Sequence, residues 1–205
     1  MTPGPTLIKK CTACAKFIEE ETIASGNTFG ARCWTDGKII APMLPDQLWL
    51  VMCPHCRSPL WLDELEVLAE LPIGAGGKFR GQRPYVEPSF VDYLALIAKG
   101  DPEPEKTRYL RIRAWWEGNE RRRGGDPEQV MTAHEVTNLE ALVADLGDDG
   151  ENGLMKAEAL RELGRFDEAR SLLASVKDPD LQAAAERIES LCDHGDPVVR
   201  ELVSR

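Results

Sequence analysis

Two pairs of cysteines constrain the fold of this chain more than any other feature of its sequence. Cys11 and Cys14 are separated by two residues, as are Cys53 and Cys56, and 38 residues (15–52) lie between the pairs. In a Cys-x-x-Cys turn both sulfur atoms face one point, and two such turns provide the four tetrahedral thiolates that zinc prefers. The spacing therefore predicts a zinc site made of Cys11, Cys14, Cys53 and Cys56.

A redox-active pair is the alternative interpretation of a Cys-x-x-Cys motif. A thioredoxin-like site usually has one such pair at a strand–helix junction of a βαβ unit, and this sequence shows no such unit. Four thiolates also fill the coordination of zinc and leave no open position at which water could be activated. We therefore expect a structural metal and, since no nucleophile motif or phosphate-binding loop is recognisable, no catalytic residues and no enzyme.

The other cysteines, His55 and the nearby tryptophans are weaker candidates for a functional role. Cys33 has apolar neighbours, which favours burial over a role as a ligand or a reactive thiol, and Cys192 falls in a helical pattern. His55 lies inside the second turn and is expected to shape it rather than to bind metal. Three aromatic side chains are expected to pack around the zinc site: Trp34, Trp49 and Trp61.

The chain is predicted to have an α+β fold in two parts. Short apolar runs separated by turn residues predict a β-rich domain over residues 1–71, in which Asp36-Gly37 is a hairpin-turn signal. Residues 72–86 are rich in glycine and proline, which predicts a linker that contains the domain boundary. From 87 to 205 the apolar residues follow a helical period, and we expect about six helices.

Helix start signals recur in the second part of the chain. Four Asp-Pro pairs place a capping carboxylate before a proline suited to the first turn, at Asp101, Asp126, Asp178 and Asp196. Thr137 with Glu140 matches a capping box. The stretch from Ala157 to Ala169, around Gly164, resembles the turn of a tetratricopeptide repeat, which implies a helix pair near 153–176. The aromatic position of that family falls on Gly153, and no second clear copy follows at the 34-residue period, so an ordinary helical bundle is the alternative.

A second resemblance covers about the first 65 residues. It rests on the segments 25–31, 34–38 and 41–45 together with the Cys53 turn and the following Leu-Trp-Leu at 60–62. These segments resemble an uncharacterised group of bacterial zinc-ribbon proteins. The resemblance implies a zinc-ribbon fold and brings no assigned activity with it.

Charge and hydropathy restrict the environment and the partners. No apolar run approaches the roughly 20 residues needed to span a bilayer, and the first ten residues lack the apolar core of a signal peptide, so we expect a cytoplasmic protein. The net charge is −10, and residues 126–205 carry 8 basic and 19 acidic side chains. Because an acidic region repels phosphate, this part is not expected to bind nucleic acid.

The stretch 106–125 differs from the acidic remainder, because it holds seven basic residues, two acidic residues and three aromatic residues. Interface centres favour Trp, Tyr and Arg, so this stretch is a candidate for binding another, unidentified protein. Nucleic acid is the alternative partner, and a packed helix with a solvated charged rim is the simplest interpretation. The sequence suggests no membrane contact and no small-molecule substrate. The candidate partner-binding residues are Tyr109, Trp115, Arg121, Arg122 and Arg123.

Overall fold

The structure is a computed structural model that describes residues 1–73, 81–100, 103–124 and 130–202. Strands dominate the N-terminal part of these residues and six helices form most of the rest, so the predicted α+β class and the predicted helix number are confirmed. None of the helices in the described part of the chain is both long enough and apolar enough to cross a membrane.

The chain divides into two compact units that are not continuous in sequence. The first unit consists of Met1–Ala31 and Ile40–Pro88, and the second consists of Arg32–Ile39 and Ser89–Arg205. The domain limits drawn from the sequence, with a linker at 72–86, stay a prediction. Residues 74–80 of that linker lie outside the described residues.

The secondary-structure elements are named in chain order. The described residues form the strands β1 (Thr2–Lys10), β2 (Phe17–Ser25), β3 (Arg32–Trp34), β4 (Ile39–Ile40), β5 (Leu50–Met52), β6 (Pro59–Trp61), β7 (Val67–Leu71), β8 (Arg83–Pro84) and β9 (Glu201–Leu202). They also form the helices α1 (Phe90–Lys99), α2 (Pro104–Arg123), α3 (Ala133–Asp145), α4 (Gly150–Glu162), α5 (Phe166–Leu173) and α6 (Pro179–Asp193).

The main sheet of the first unit has the strand order β7-β1-β2-β8. β1 runs antiparallel to both of its neighbours, with Leu7 opposite Glu20 on β2 and opposite Glu70 on β7. β5 and β6 form a separate antiparallel pair in which Val51 lies opposite Leu60. Each of the two cysteine pairs thus lies in a turn between antiparallel strands.

A short hairpin belongs to the second unit. β3 lies between β4 and β9, and Cys33 is paired with Leu202 near the end of the chain. Gly37 has φ +80°, a value that favours glycine, and its N–H donates to the carbonyl of Trp34 at 2.9 Å. The Asp36-Gly37 turn signal is confirmed.

Local capping chemistry explains where several helices begin. Ser89 with Asp92 forms a capping box at α1, and Asp178 caps α6 with Pro179 in the first turn. At α3 the capping box is Thr132 with Glu135, so the predicted box five residues later is wrong. The hydroxyl of Thr137 instead donates to the carbonyl of Ala133 inside the helix.

The four Asp-Pro signals have different outcomes. The signal at Asp178 is confirmed, whereas those at Asp101 and Asp126 lie outside the described residues. The signal at Asp196 is wrong, because β9 and no helix follows it among the residues described to 202. Its carboxylate accepts the N–H of Val198 at 2.9 Å, which closes a local turn and not a helix.

Candidate metal centre

The two cysteine turns share the same backbone hydrogen bond and the same backbone conformation. After β1, the N–H of Ala15 donates to the carbonyl of Cys11 at 2.9 Å; after β5, the N–H of Arg57 donates to the carbonyl of Cys53 at 2.9 Å. Ala15 and Arg57 both adopt a positive φ, of 60° and 61°. This left-handed residue turns the chain back into the next strand, so both cysteines of each pair lie on one tight turn.

The four sulfur atoms converge on one point. The Sγ atoms of Cys11 and Cys56 are 3.8 Å apart, those of Cys14 and Cys53 are 3.7 Å apart, and all four lie within 4.8 Å of one another. Four thiolates at a Zn–S distance of about 2.3 Å have tetrahedral edges of about 3.8 Å. The donor set and the spacing therefore fit one tetrahedral metal ion, and the four cysteines could bind one.

Burial differs between the two cysteines of each turn. Cys11 and Cys53 are 1% and 0% exposed, Cys14 is half-buried, and Cys56 is exposed. Burial raises the pKa of the Cys53 thiol to about 12, whereas hydrogen bonds between the Cys56 sulfur and the hydroxyl and backbone of Ser58 lower the pKa of Cys56 to about 6. Binding of a cation by all four sulfur atoms would require the Cys53 thiol to lose its proton. The affinity of the site for the cation would therefore fall with decreasing pH.

Aliphatic side chains, and not tryptophans, surround the cysteines. Trp49 is 56% exposed, and Trp34 belongs to the second unit, where its ring centroid lies 5.5 Å from the guanidinium of Arg123. The expectation that these two tryptophans pack around the site is therefore wrong, and Trp61 is half-buried on β6. The buried residues that cluster with Cys11 and Cys53 are Ile18, Leu48, Val51, Leu60, Leu62 and Leu65.

The remaining cysteines and His55 lie outside the thiol cluster. Cys33 is half-buried on β3, and Cys192 is buried among the helices of the second unit. The Nε2 atom of His55 lies 3.0 Å from the carbonyl oxygen of Phe17, at the start of β2. His55 thus connects the second cysteine turn to β2, the strand that follows the first cysteine turn.

The candidate partner-binding residues lie on α2 and differ widely in exposure. Tyr109 is half-buried, with the guanidinium of Arg113 at 5.9 Å from its ring centroid. Trp115 is 3% exposed, and its Nε1–H donates to Glu162 at 3.0 Å. Direct contact with a partner requires an exposed ring at Trp115, whereas the structure places this side chain in the helical core.

The three consecutive arginines of the same helix also differ. Arg121 is exposed, whereas Arg122 is 8% exposed and donates to Glu135 at 2.6 Å. Arg123 keeps 4% of its side chain exposed and pairs with Asp36. Of these three, Arg121 is the one whose side chain faces solvent. Binding of a partner by this stretch stays a prediction.

Several buried ionic residues were not found by sequence reasoning. Asp36 was interpreted as a turn residue, and Glu158, Arg161 and Glu162 as part of a repeat-like helix, yet all four are 3% exposed or less. The available signal was composition, because Ala157, Ala159 and Leu160 flank these charges and make α4 apolar on more than one face.

No family model matches the chain, and neither a curated protein nor a solved structure matches it. The resemblance to a bacterial zinc-ribbon group therefore stays a prediction.

Proposed function

We propose that the chain is a non-catalytic, zinc-binding module that works by binding another protein. The observation that carries the proposal is the convergence of Cys11, Cys14, Cys53 and Cys56 within 4.8 Å. Four thiolates complete the coordination of zinc, so the ion has no position left for a reacting water molecule and acts as a structural element. The two strand–turn–strand segments that carry the cysteines support a zinc-ribbon assignment.

Metal analysis tests the zinc assignment directly. Purified protein should contain one zinc ion per chain, and Cys53→Ser should lose it because only three thiolates remain. Cys192→Ser is the matched control, since Cys192 is equally buried but lies in the helical unit. A wild-type protein without zinc, or a Cys53→Ser variant that keeps full metal content, would contradict the assignment.

The helical unit supports the protein-binding part of the proposal. α4 and α5 are joined by a tight turn in which Gly164 has φ +77°. The small residues Ala157 and Ala169 are both fully buried, as in helix pairs that approach closely. Such pairs are the building blocks of repeat proteins, which present extended surfaces to other proteins. We assign a tetratricopeptide-like character to this pair on that basis.

Affinity purification from the native cell, followed by mass spectrometry, tests for a protein partner. The proposal expects a defined protein that is retained after nuclease treatment and at moderately high salt. Loss of the captured protein on nuclease treatment would mean that nucleic acid bridged the two, and the protein-binding proposal would fail.

Association with nucleic acid is the second candidate function. The arginines of the 106–123 stretch give it little support, since Arg108 pairs with Asp145, Arg122 with Glu135 and Arg123 with Asp36. The first unit is more favourable for this function. There a cavity of about 420 Å³ beside the cysteine turns is lined by Ala15, Lys16, Phe17, His55, Gly81 and Arg83. None of these described lining residues is acidic.

Retention on single-stranded and double-stranded nucleic acid at increasing salt separates the two candidates. Phosphate contacts make binding fall steeply with salt, and removing two of them should reduce the log–log salt slope by about 2. The double change Lys16→Glu, Arg83→Glu should do so, with Arg121→Glu as the control on α2. Equal weak retention of all three proteins would remove nucleic acid as a candidate.

A further inference from the structure

The second unit buries more negative than positive charge at one place. Asp36, Glu158 and Glu162 are 0%, 0% and 3% exposed, and the two guanidinium groups among them belong to Arg161 and Arg123, with 0% and 4% of their side chains exposed. Three carboxylates against two guanidinium groups leave an excess of one negative charge. An unpaired buried charge is strongly unfavourable, so such sites usually neutralise by holding a proton.

The hydrogen bonds identify which carboxylate lacks a cationic partner. Glu158 receives two bonds from Arg161, at 2.6 and 2.7 Å, and Asp36 receives one from Arg123. Among the residues that the structure describes, Glu162 receives bonds only from neutral donors, the indole N–H of Trp115 at 3.0 Å and the amide of Asn119 at 3.0 and 3.2 Å. The excess charge therefore falls on Glu162.

Asn119 links this carboxylate to the hairpin of the second unit. Its Oδ1 accepts from Nε of Arg122 at 2.9 Å, and arginine can only donate, so the orientation of the amide is determined. Its Nδ2 then faces both Asp36, at 2.9 Å, and Glu162. One amide thus joins a carboxylate of the 32–39 hairpin to a carboxylate of α4.

The other charged groups around the cluster do not compensate the excess. Each has a partner of opposite charge, so that these pairs add no net charge. They are Lys38 with Glu120, Arg122 with Glu135, and Arg200 with Asp196. The side chain of Glu120 also meets Arg123, and the carbonyls of Asp196 and Val198 accept from Arg161.

We propose that Glu162 holds a proton at neutral pH, and that this proton stabilises the packing of the hairpin Arg32–Ile39 against helices α2 and α4. Loss of the proton in alkaline solution leaves an uncompensated third negative charge beside Asp36. The hairpin, whose carboxylate shares the amide of Asn119 with Glu162, is then loosened.

The acid–base behaviour of the cluster agrees with this geometry. Burial, together with the nearby charges of Glu158 and Asp36, raises the pKa of Glu162 to about 8. Burial also raises the pKa of Asp36, but the guanidinium of Arg123 opposes this shift. Because Arg123 donates to Asp36 whereas Glu162 accepts from the neutral Trp115 and Asn119, the geometry favours the proton on Glu162 over Asp36.

The direction of the pH effect follows from proton linkage. An ordinary glutamate in the unfolded chain has a pKa of about 4.3. Between that value and about 8, the folded state retains a proton that the unfolded state has released. The contribution of Glu162 to the folding equilibrium constant is complete below the unfolded pKa and falls about tenfold for each pH unit up to the folded pKa.

Denaturant unfolding between pH 5.5 and 9 tests the proposal with two glutamine variants. Glu162→Gln cannot ionise, so the ratio of its folding constant to that of the wild type should rise about tenfold for each pH unit up to about pH 8. Glu189→Gln, at an exposed position on α6, should keep the wild-type pH dependence. Parallel curves for wild type and Glu162→Gln would overturn the proposal.

Two measurements on the wild type keep the test decisive even if Glu162→Gln folds poorly. Infrared spectroscopy should detect the carbonyl band of one protonated carboxyl group at pH 7, and this band should disappear by pH 9. The hydrogen-exchange protection factor of the Thr35 amide, which donates to the carbonyl of Arg200 at 2.8 Å, should fall over the same range. Absence of the band at pH 7 would refute the proposal.

Discussion

The two units of this chain have interiors of very different kinds. In the described part of the first unit, the main buried cluster has eight residues, two of which are cysteines of the candidate metal centre. In the second unit the corresponding cluster has thirteen buried residues from α2 to α6, and a network of buried ionic side chains adjoins it. The main cluster of the first unit contains two of the sulfur atoms, whereas that of the second unit is formed by apolar packing between helices.

The difference shows how the size of the apolar core limits the number of buried polar and charged side chains in each unit. A small domain buries too little apolar surface to be stable by packing alone, and a structural metal is one common remedy. A larger helical core can hold Glu158 and Arg161 away from water, because each is hydrogen-bonded and apolar packing supplies the remaining stability. We therefore expect the two units to respond oppositely to metal removal and to charge substitution.

Metal removal should have the largest effect, and it should be confined to the first unit. Structural zinc contributes about 10 to 16 kcal/mol of apparent binding free energy, which is comparable with the whole stability of a small domain. Chelation or Cys53→Ser should therefore unfold the strands around the cysteines and leave the helical circular dichroism in place. Cys33→Ser, outside the thiol cluster, is the control.

Differential scanning calorimetry measures the effect of metal removal. We expect two unfolding transitions, one for each unit, and loss of the transition of the first unit after chelation. A single transition that is unchanged by chelation would mean that the first unit needs no metal. Simultaneous loss of both transitions would mean that the two units fold as one.

Removal of the Arg161 charge should have the next largest effect, in the second unit alone. Arg161→Met leaves Glu158 buried without its cationic partner, which typically destabilises by about 3 to 5 kcal/mol. Arg170→Met is the matched control, because Arg170 keeps 35% of its side chain exposed and pairs with an exposed aspartate. Equal denaturant midpoints for the two variants would contradict the importance of the buried pair.

Capping of α3 should give the smallest of these effects. Thr132→Ala removes the side chain that accepts the N–H of Glu135, at a cost of about 1 kcal/mol. Thr137→Ala, five residues further on, should change the free energy of unfolding less because its hydroxyl caps nothing. The reverse order of the two variants in urea denaturation would indicate that α3 begins later than the structure has it.

Some features of the fold were predictable from the sequence and others were not. The six helices and the turn at Gly37 were predictable, since they depend on signals within a few residues of each other. The grouping of segment 32–39 with the helices was not. It depends on pairs such as Asp36 with Arg123, and no local pattern indicates contacts between residues 87 positions apart.

Local ambiguity explains the remaining errors. Two capping-box matches occur in succession, at Thr132 and Thr137, and burial of Asn138 and Leu139 in α3 accompanies the earlier start. On α2 an aromatic and arginine-rich composition is equally consistent with an interface and with a core. Trp115 is buried because it faces α4, where Glu162 accepts its indole N–H.

By itself the sequence determined the positions of the two cysteine turns and the order of strands and helices, because turn geometry, capping and periodicity act over short distances along the chain. The spacing of those turns also predicted that the four thiols meet. Only the tertiary structure decided that Trp115 is core and that Glu162 has no cationic hydrogen-bond donor among the described residues. The energy of a thiol or a buried charge depends on which groups surround it in space, and those groups come from segments far apart in the chain.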